Sequence, residues 1–213
     1  MQSLQIMNTK IQPPGVRDTI IRRATLHRKL QTINQYPVTL LYAGAGYGKS
    51  TSLSLYINEL KIKASWYSMS SHEDDFLPFL SYIIHSIQKT YPSFGQIMIN
   101  MLAVSNPYLQ EKDVLSISTH FINEIVRLKE EIILIIDDFH HGEKSIEIME
   151  FMETIIEHCP NNFHIVISGR NRPKWKILTR MKVEGKLLEL TQKDLILDKE
   201  EVELLSLMFI NCI

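Results

Sequence analysis

The sequence predicts an α/β protein in which helices cover both faces of a mostly parallel central sheet. Three observations carry that expectation. Short apolar and β-branched runs alternate with amphipathic helical segments along most of the chain. Ile132 to Ile136 is an unbroken apolar run, the pattern of a strand buried on both faces. Ala43-Gly44-Ala45-Gly46-Tyr47-Gly48-Lys49-Ser50 is a glycine-rich turn that joins an apolar run to a helical one, the context a phosphate-binding P-loop requires. The architecture expected is therefore a P-loop NTPase, a three-layer sandwich.

The elements follow in order. Residues 1–19 read as irregular, with Pro13-Pro14-Gly15 as a breaker. A short helix is expected over about 22–34. Val38–Tyr42 is the first strand, and a helix opens at Gly48. Residues 63–68 read as the second strand. Phe76, Phe79, Leu80, Ile83, Ile84 and Ile87 recur at helical spacing, as do Val114, Ile117, Phe121, Ile122 and Ile125. The Pro-, Ser- and Asn-bearing stretch between them, about 91–108, reads as loop. After the strand at 132–136, Ile148, Met149, Met152, Ile155 and Ile156 mark a helix. Phe163–Ser168 is a strand and Leu187–Leu190 a short last one. A final helix begins near Asp198, an N-cap with Glu201 placed for a capping box. Its apolar side stays open where the sequence stops, so a following domain is expected to be missing.

The glycines of the turn let the backbone point several N–H groups at phosphate oxygens. The helix that follows adds free N–H groups and the positive end of its dipole. Gly44, Ala45, Gly46, Tyr47, Gly48, Lys49, Ser50 and Thr51 are the candidate nucleotide contacts. Lys49 is placed to reach the β- and γ-phosphates, and the Ser50 hydroxyl to bind Mg²⁺. The strict pattern has Gly where Ala43 stands, a site that closes the strand rather than touching phosphate. Downstream, Glu130–Asp138 is an apolar strand ending in two carboxylates, the Walker B pattern. Asp137 is the candidate Mg²⁺ ligand. Asp138 points elsewhere and is placed to orient or deprotonate the attacking water, which makes Asp138 and Lys49 the candidate catalytic residues. His140 and His141 follow, but neighbours on one strand end rarely converge on one ion, so no separate metal site is expected. Ser168–Pro173 ends the next strand on the carboxyl edge, where ligands bind in open α/β sheets. Arg170 is the candidate γ-phosphate sensor and Arg172 the second. A solvated loop arginine is the equal alternative.

Composition narrows the classes. The chain has 213 residues, 45% of them hydrophobic, enough to bury one full core. A formal net charge of -1 leaves nothing basic enough for a dedicated nucleic-acid surface. The longest basic cluster, Arg22-Arg23 with His27-Arg28-Lys29, reads equally well as a solvated helix face. Cys159 and Cys212 have neither metal nor disulfide spacing, as expected in a reducing cytoplasm. There is no apolar signal core at the N-terminus, and the run Leu204–Ile210 is too short to span a bilayer. A cytoplasmic protein with no membrane partner is the expectation.

Taken together, these segments resemble a known group. The loop Ala-Gly-Tyr-Gly-Lys-Ser, with its Tyr47, is similar to that of the signal-transduction ATPases with numerous domains (STAND), above all the MalT-like branch of LuxR-type bacterial transcriptional regulators. Thr9–Pro14 looks like that branch's entry, and Ile21, Arg23, Leu26 and Leu30 match a stretch of the form V-x-R-x-x-L-x-x-x-L. Trp66–Met69 resembles its second strand and Phe79–Ile84 the helix after it. Asp137-Asp138-Phe139-His140 matches an Asp-Asp-aromatic-His ending. Ser168–Pro173 is similar to a Ser-Arg-x-x-Pro turn, with one extra Gly. Asp194-Leu195, Glu200-Glu201 and Leu204-Leu205 look like the exit into the next domain. The resemblance spans about residues 9–210.

The resemblance implies an AAA+/STAND-like fold and an ATPase switch, in which ATP and an inducer favour an oligomeric active state while ADP holds a closed monomer. By that analogy Arg23 lies near the adenine or ribose. It also implies residues 1–35 as an N-terminal segment with a nucleotide-flanking helix, 36–192 as the NTPase core, and 193–213 as the truncated start of a helical or winged-helix domain. A helical-repeat sensor and a DNA-binding helix-turn-helix would follow, so DNA is a partner only through domains absent from this sequence. The leading reading is an ATP-binding, slowly hydrolysing Mg²⁺-dependent module of such a regulator, self-associating when ATP-bound. The alternatives are an autonomous P-loop ATPase and an ATP-gated protein-interaction module. No acceptor-substrate motif and no basic, aromatic-bearing strand channel favour either enzyme class.

Overall fold

The computed structural model describes residues 5–16, 20–71, 73–104 and 111–210, with side chains described in all of these except 101–104, 111–112 and 207–210. Five strands form one sheet: β1 (Val38–Tyr42), β2 (Ala64–Ser68), β3 (Ile132–Asp137), β4 (Phe163–Gly169) and β5 (Leu187–Thr191). Their order is β2-β3-β4-β1-β5, and every neighbouring pair is parallel. Tyr42 lies opposite Gly169 and Ser68 opposite Asp137, so the carboxyl ends finish on one edge. Strand β4 separates the strand before the glycine-rich turn from the acidic strand. The two motifs therefore meet across the tip of β4.

Strand residues alternate between two cores, as a period of two requires. Leu40, Tyr67, Leu134, Ile136, Ile165 and Ile167 face one, and Leu41, Trp66, Ile135, Val166 and Leu190 the other. The first core is covered by α3 (Phe76–Thr90), α4 (Gln96–Val104), α5 (Glu111–Leu128), α6 (Ile146–Glu157) and α7 (Ile177–Val183). The second is covered by α1 (Ala24–Leu30), α2 (Lys49–Leu60) and α8 (Gln192–Leu195). The chain closes with α9 (Lys199–Ile210). Among the described residues no helix is long and apolar enough to cross a membrane.

Helix starts follow local chemistry. Asp75 caps α3 by accepting from the Leu77 N–H at 3.4 Å. Ser145 caps α6 through the Ile148 N–H at 3.4 Å. At α9 the expected capping box forms: Glu201 N–H donates to Asp198 at 2.9 Å, and Asp198 N–H donates to the Glu201 carboxylate at 3.1 Å. Thr191 and Asp194 build a second such box at α8.

Three local expectations need correction. The stretch at 91–108 is not all loop. It holds α4, introduced by Gly95 at φ +75°, where a Cβ would come within 2.4 Å of Ile84. The Gly95 N–H is held by Glu124 at 2.6 Å, and Met98 is buried. Pro92 and Ser93 disguise a helix whose short apolar run, Ile97-Met98-Ile99, shows no clean period. Residues 105–108 lie outside the described residues. The first helix spans only Ala24–Leu30, with a 3₁₀ turn at Ile33–Gln35, so Arg22 and Arg23 precede it and do not share its face. A 3₁₀ turn, Asn8–Ile11, stands in the N-terminal segment and buries Ile11.

A chain of aromatic rings runs from the middle of the first core to the carboxyl edge. Phe121 lies 5.5 Å from Phe151, Phe151 6.3 Å from Phe79, Phe79 6.4 Å from Phe139, and Phe139 5.2 Å from Trp175. Phe139 directly follows the acidic pair, so core packing fixes the turn that carries it. Phe151, which also meets Phe76, is the hub of this chain. Its truncation to alanine leaves a cavity and removes edge-to-face contacts. Phe151→Ala is expected to lower the unfolding free energy by about 3–5 kcal/mol in urea titration. Ile146→Ala, on the same helix but 70% exposed, is expected to change it by less than about 0.5 kcal/mol.

Candidate functional site

The glycine-rich turn has the conformation its residues anticipate. Gly46 (φ +81°) and Gly48 (φ +73°) occupy the left-handed region, where a side chain is strained. Gly48 is the N-cap of α2, so the helix starts with its free N–H groups at the turn. Ala43 is buried in the second core, beside Leu41, Leu53 and Trp66. Its methyl group faces hydrophobic neighbours, which explains why alanine fits where the strict pattern has glycine. Its N–H donates to the Gly169 carbonyl at 3.2 Å and ties the turn to β4. The Lys49 ammonium is held inside the turn, donating to the Ala43 and Gly44 carbonyls at 2.9 Å each.

The acidic strand meets this turn through hydroxyls. Asp137 is 3% exposed; its carboxylate accepts a hydrogen bond from Ser168 Oγ, and the Ser50 hydroxyl stands near it. Burial pushes its pKa above the usual aspartate value; the two hydroxyls oppose that, and the neighbouring Asp138 charge adds to it. Ser168 Oγ also accepts from the Asp138 N–H at 3.3 Å, so one serine on β4 braces both acids. Sequence reasoning noted Ser168 only as the start of a turn. Its signal was a hydroxyl at the tip of the strand that separates the two motifs. Asp138 takes a left-handed conformation (φ +56°, ψ +36°), and its side chain is 42% exposed. The two neighbouring acids thus stand in different environments, one dry and one wet.

Arg170 and Arg172 separate as well. Arg170 is exposed, at the first position after β4. Arg172 is committed elsewhere: its Nε lies 2.6 Å from the Glu189 carboxylate on β5, which also binds Lys182. Arg172 is therefore engaged with β5, while Arg170 is not. His140 was missed as a site residue. Both its ring nitrogens are buried without a hydrogen-bond partner, and Nδ1 is 3.8 Å from the Asp138 carboxylate. Burial lowers its pKa below the usual imidazole value, His141 lowers it further, and the charges of Arg170 and Lys49 act the same way, against Asp138. The ring therefore feels the turn, the acidic pair and Arg170 at once.

Arg23 is not a solvated surface arginine. Its side chain is 11% exposed. It donates to the Tyr47 carbonyl of the turn and to the Asp194 carbonyl before α9, at 3.4 Å each, and lies 3.8 Å from Glu201. Burial lowers its pKa, opposed by Glu201 and Asp198. Beside it opens a cavity of ≈ 650 Å³ that runs from Gly46, Tyr47, Gly48, Thr51 and Ser52 to α1 and α9. Its far walls are mostly apolar and include Leu26, Leu30, Leu195, Val202 and Leu205. A site with phosphate-type donors at one end and an apolar slot at the other suits a molecule that is anionic at one end and flat and apolar at the other. On α9 Val202 is 46% and Leu204 53% exposed, while the side chains of 207–210 lie outside those described.

The buried carboxyl of Asp137 has a consequence for stability. Its folded-state pKa is raised, so the folded chain holds this proton more tightly than the unfolded chain does. That contribution is lost as pH rises from the ordinary aspartate range through the raised value. Asp137→Asn keeps an acceptor for Ser168 and Ser50 and removes the charge. The ligand-free variant is expected to melt at a higher temperature than the wild type at pH 8, with the gap shrinking as pH falls toward 4. Scanning calorimetry across that range checks it.

Comparison with known proteins bears on the chain as a whole. The family described as nephrocystin 3, N-terminal, matches residues 15–170. The HTH-type transcriptional regulators MalT of Klebsiella pneumoniae subsp. pneumoniae and of Klebsiella pneumoniae strain 342 are each 28% identical over 204 residues, 94% of this chain. The chain spans 21% of the length of these relatives. A crystal structure of a DNA replication initiation factor overlays 84% of this chain and 50% of its own at 13% identity and a TM-score of 0.38, an overlap too loose to bear on the fold. The chain belongs to the nephrocystin 3 N-terminal family and, over nearly its whole length, is similar to the run of 204 residues it shares with the MalT regulators.

Proposed function

We propose that this chain is the ATP-binding, slowly hydrolysing switch module of a MalT-like transcriptional regulator. The observation that carries the reading is the meeting of the two motifs: the Ser50 hydroxyl, at the start of α2, stands near enough to the Asp137 carboxylate at the tip of β3 to favour its charged form. A hydroxyl and a carboxylate so placed are the hard oxygen ligands that Mg²⁺ takes in nucleotide sites. The buried, charge-burdened state of Asp137 fits a cation, whose presence would offset both the desolvation and the Asp138 repulsion. Mg²⁺ held there would neutralise charge on the phosphates.

The roles of the chain's own residues follow. The N–H groups of Gly44–Thr51 cradle phosphate oxygens. Lys49 leaves the two carbonyls it now holds and takes the β- and γ-phosphates as better, charged acceptors. Asp138, the wet acid, orients or deprotonates the attacking water. Arg170 meets the γ-phosphate. The adenine and ribose lie in the apolar cavity, with Arg23 fixing its floor to the turn. Residues 36–192 form the NTPase core, and 193–213 begin the next domain. ATP-bound copies self-associate, and DNA is contacted through other domains of the regulator. Slow turnover fits a switch, which needs a long-lived bound state.

Lys49→Ala is expected to weaken ATP binding on the order of 10–100-fold while the far-UV circular dichroism spectrum is unchanged, because the side chain serves the phosphates rather than the core. Calorimetric titration decides it, and wild-type affinity in the variant sinks the reading. Asp138→Asn is expected to bind Mg-ATP normally and to hydrolyse it roughly 10²-fold more slowly in a single turnover. An unchanged rate places water activation on another group.

A further inference from the structure

A serine stands on each side of Asp137. The second-core faces of β2, β3 and β4 carry Trp66, Ile135 and Val166 side by side. Two residues further on, at the carboxyl edge, the same faces present Ser68, Asp137 and Ser168. Ser68 lies directly opposite Asp137 in the parallel register. Helix α2, which opens with Lys49 and Ser50, covers this side of the sheet. Ser168 is committed to the two acids. Ser68 is not. Its Oγ accepts from the Trp66 indole Nε1 at 2.7 Å, and among the described residues that hydroxyl makes no other hydrogen bond. Trp66 is 1% exposed, so the anchor is buried, whereas Ser68 is partly open to solvent.

A serine hydroxyl has one proton and two lone pairs. The Trp66 N–H, which needs an acceptor inside a core, uses one lone pair. The other lone pair and the proton are left free at the open edge, next to the buried acid. Mg²⁺ dehydrates reluctantly and keeps several of its waters in nucleotide sites. Those waters are donors and need acceptors around them. The Asp137 carboxylate is one, and the free lone pair of Ser68 is the next along the row. We propose that Ser68 is a positioning residue of the cation site, accepting a hydrogen bond from a water of Mg²⁺ beside Asp137. The inference rests on the nucleotide reading above and adds the tip of β2 to the elements that hold the cation.

Calorimetric titration of the whole chain with ATP, in EDTA and at a series of free Mg²⁺ concentrations, tests it. Ser68→Ala is expected to raise the Mg²⁺ concentration that gives half of the full tightening of ATP binding by roughly 3–10-fold. Its ATP affinity in EDTA is expected to match the wild type. Ser68→Thr keeps the hydroxyl on a residue that suits a strand, and is expected to restore the wild-type Mg²⁺ requirement. An alanine variant that weakens ATP binding equally with and without Mg²⁺ overturns the proposal, because that is what a purely structural role as the Trp66 anchor produces. A threonine variant as impaired as the alanine one also overturns it. If the wild type responds to Mg²⁺ and Ser68→Ala has the same requirement, this proposal alone falls. If the wild type binds no ATP at any Mg²⁺ concentration, the nucleotide reading falls and this proposal with it.

Discussion

One buried carboxylate organises the carboxyl edge of this sheet. Asp137 ends β3 almost without solvent, takes the Ser168 hydroxyl on β4 and stands beside the Ser50 hydroxyl on α2. The glycine-rich turn, the middle strand and the acidic strand are therefore joined at one point. Taking a carboxylate out of water is strongly unfavourable unless it is compensated. Two hydroxyls compensate only in part, since the pKa remains raised. The fold thus buries an acid where its charged form is disfavoured. Positions of that kind are where function resides.

The surrounding structure supports that point from both sides of the sheet. Beneath it, the aromatic chain Phe121–Phe151–Phe79–Phe139 leads to the residue after the acidic pair and holds the turn in place. Beside it, the Lys49 ammonium rests on the carbonyls of its own turn, a set of neutral acceptors that phosphate oxygens can outcompete. On the far side, Arg23 connects the turn to α8 and α9 through the Tyr47 and Asp194 carbonyls and Glu201. The segment after the core is thereby linked to the glycine-rich turn.

Much of this was legible in the sequence, for identifiable reasons. All five strands were foreseen within a residue or so at either end, because a fully buried strand reads as an apolar run and punctuation bounds it. The α9 capping box was readable because Asp198 and Glu201 stand at the required spacing. What escaped notice depends on tertiary neighbours. Helix α4 forms because Gly95 fits against Ile84 and Glu124 anchors it, and both partners lie on other helices. Ser168 as brace of two acids, and Arg172 as partner of Glu189, appear only once β4 stands between β3 and β1 and β5 lies beyond. Arg23 read as a surface side chain because its three partners are distant in sequence. His140 was passed over because an unpartnered nitrogen is a property of the folded environment alone.

The account stands on Ser50 and Asp137 acting as one unit toward a divalent cation. The most direct test is the factor by which Mg²⁺ tightens ATP binding, measured for the wild type, Ser50→Ala, Asp137→Asn and the double variant. Residues that act as a unit are strongly non-additive. The account predicts that either single substitution removes most of the Mg²⁺ effect, on the order of tenfold in affinity, about 1.4 kcal/mol, and that the double variant loses no more than either single one. Full Mg²⁺ enhancement in the double variant would contradict it.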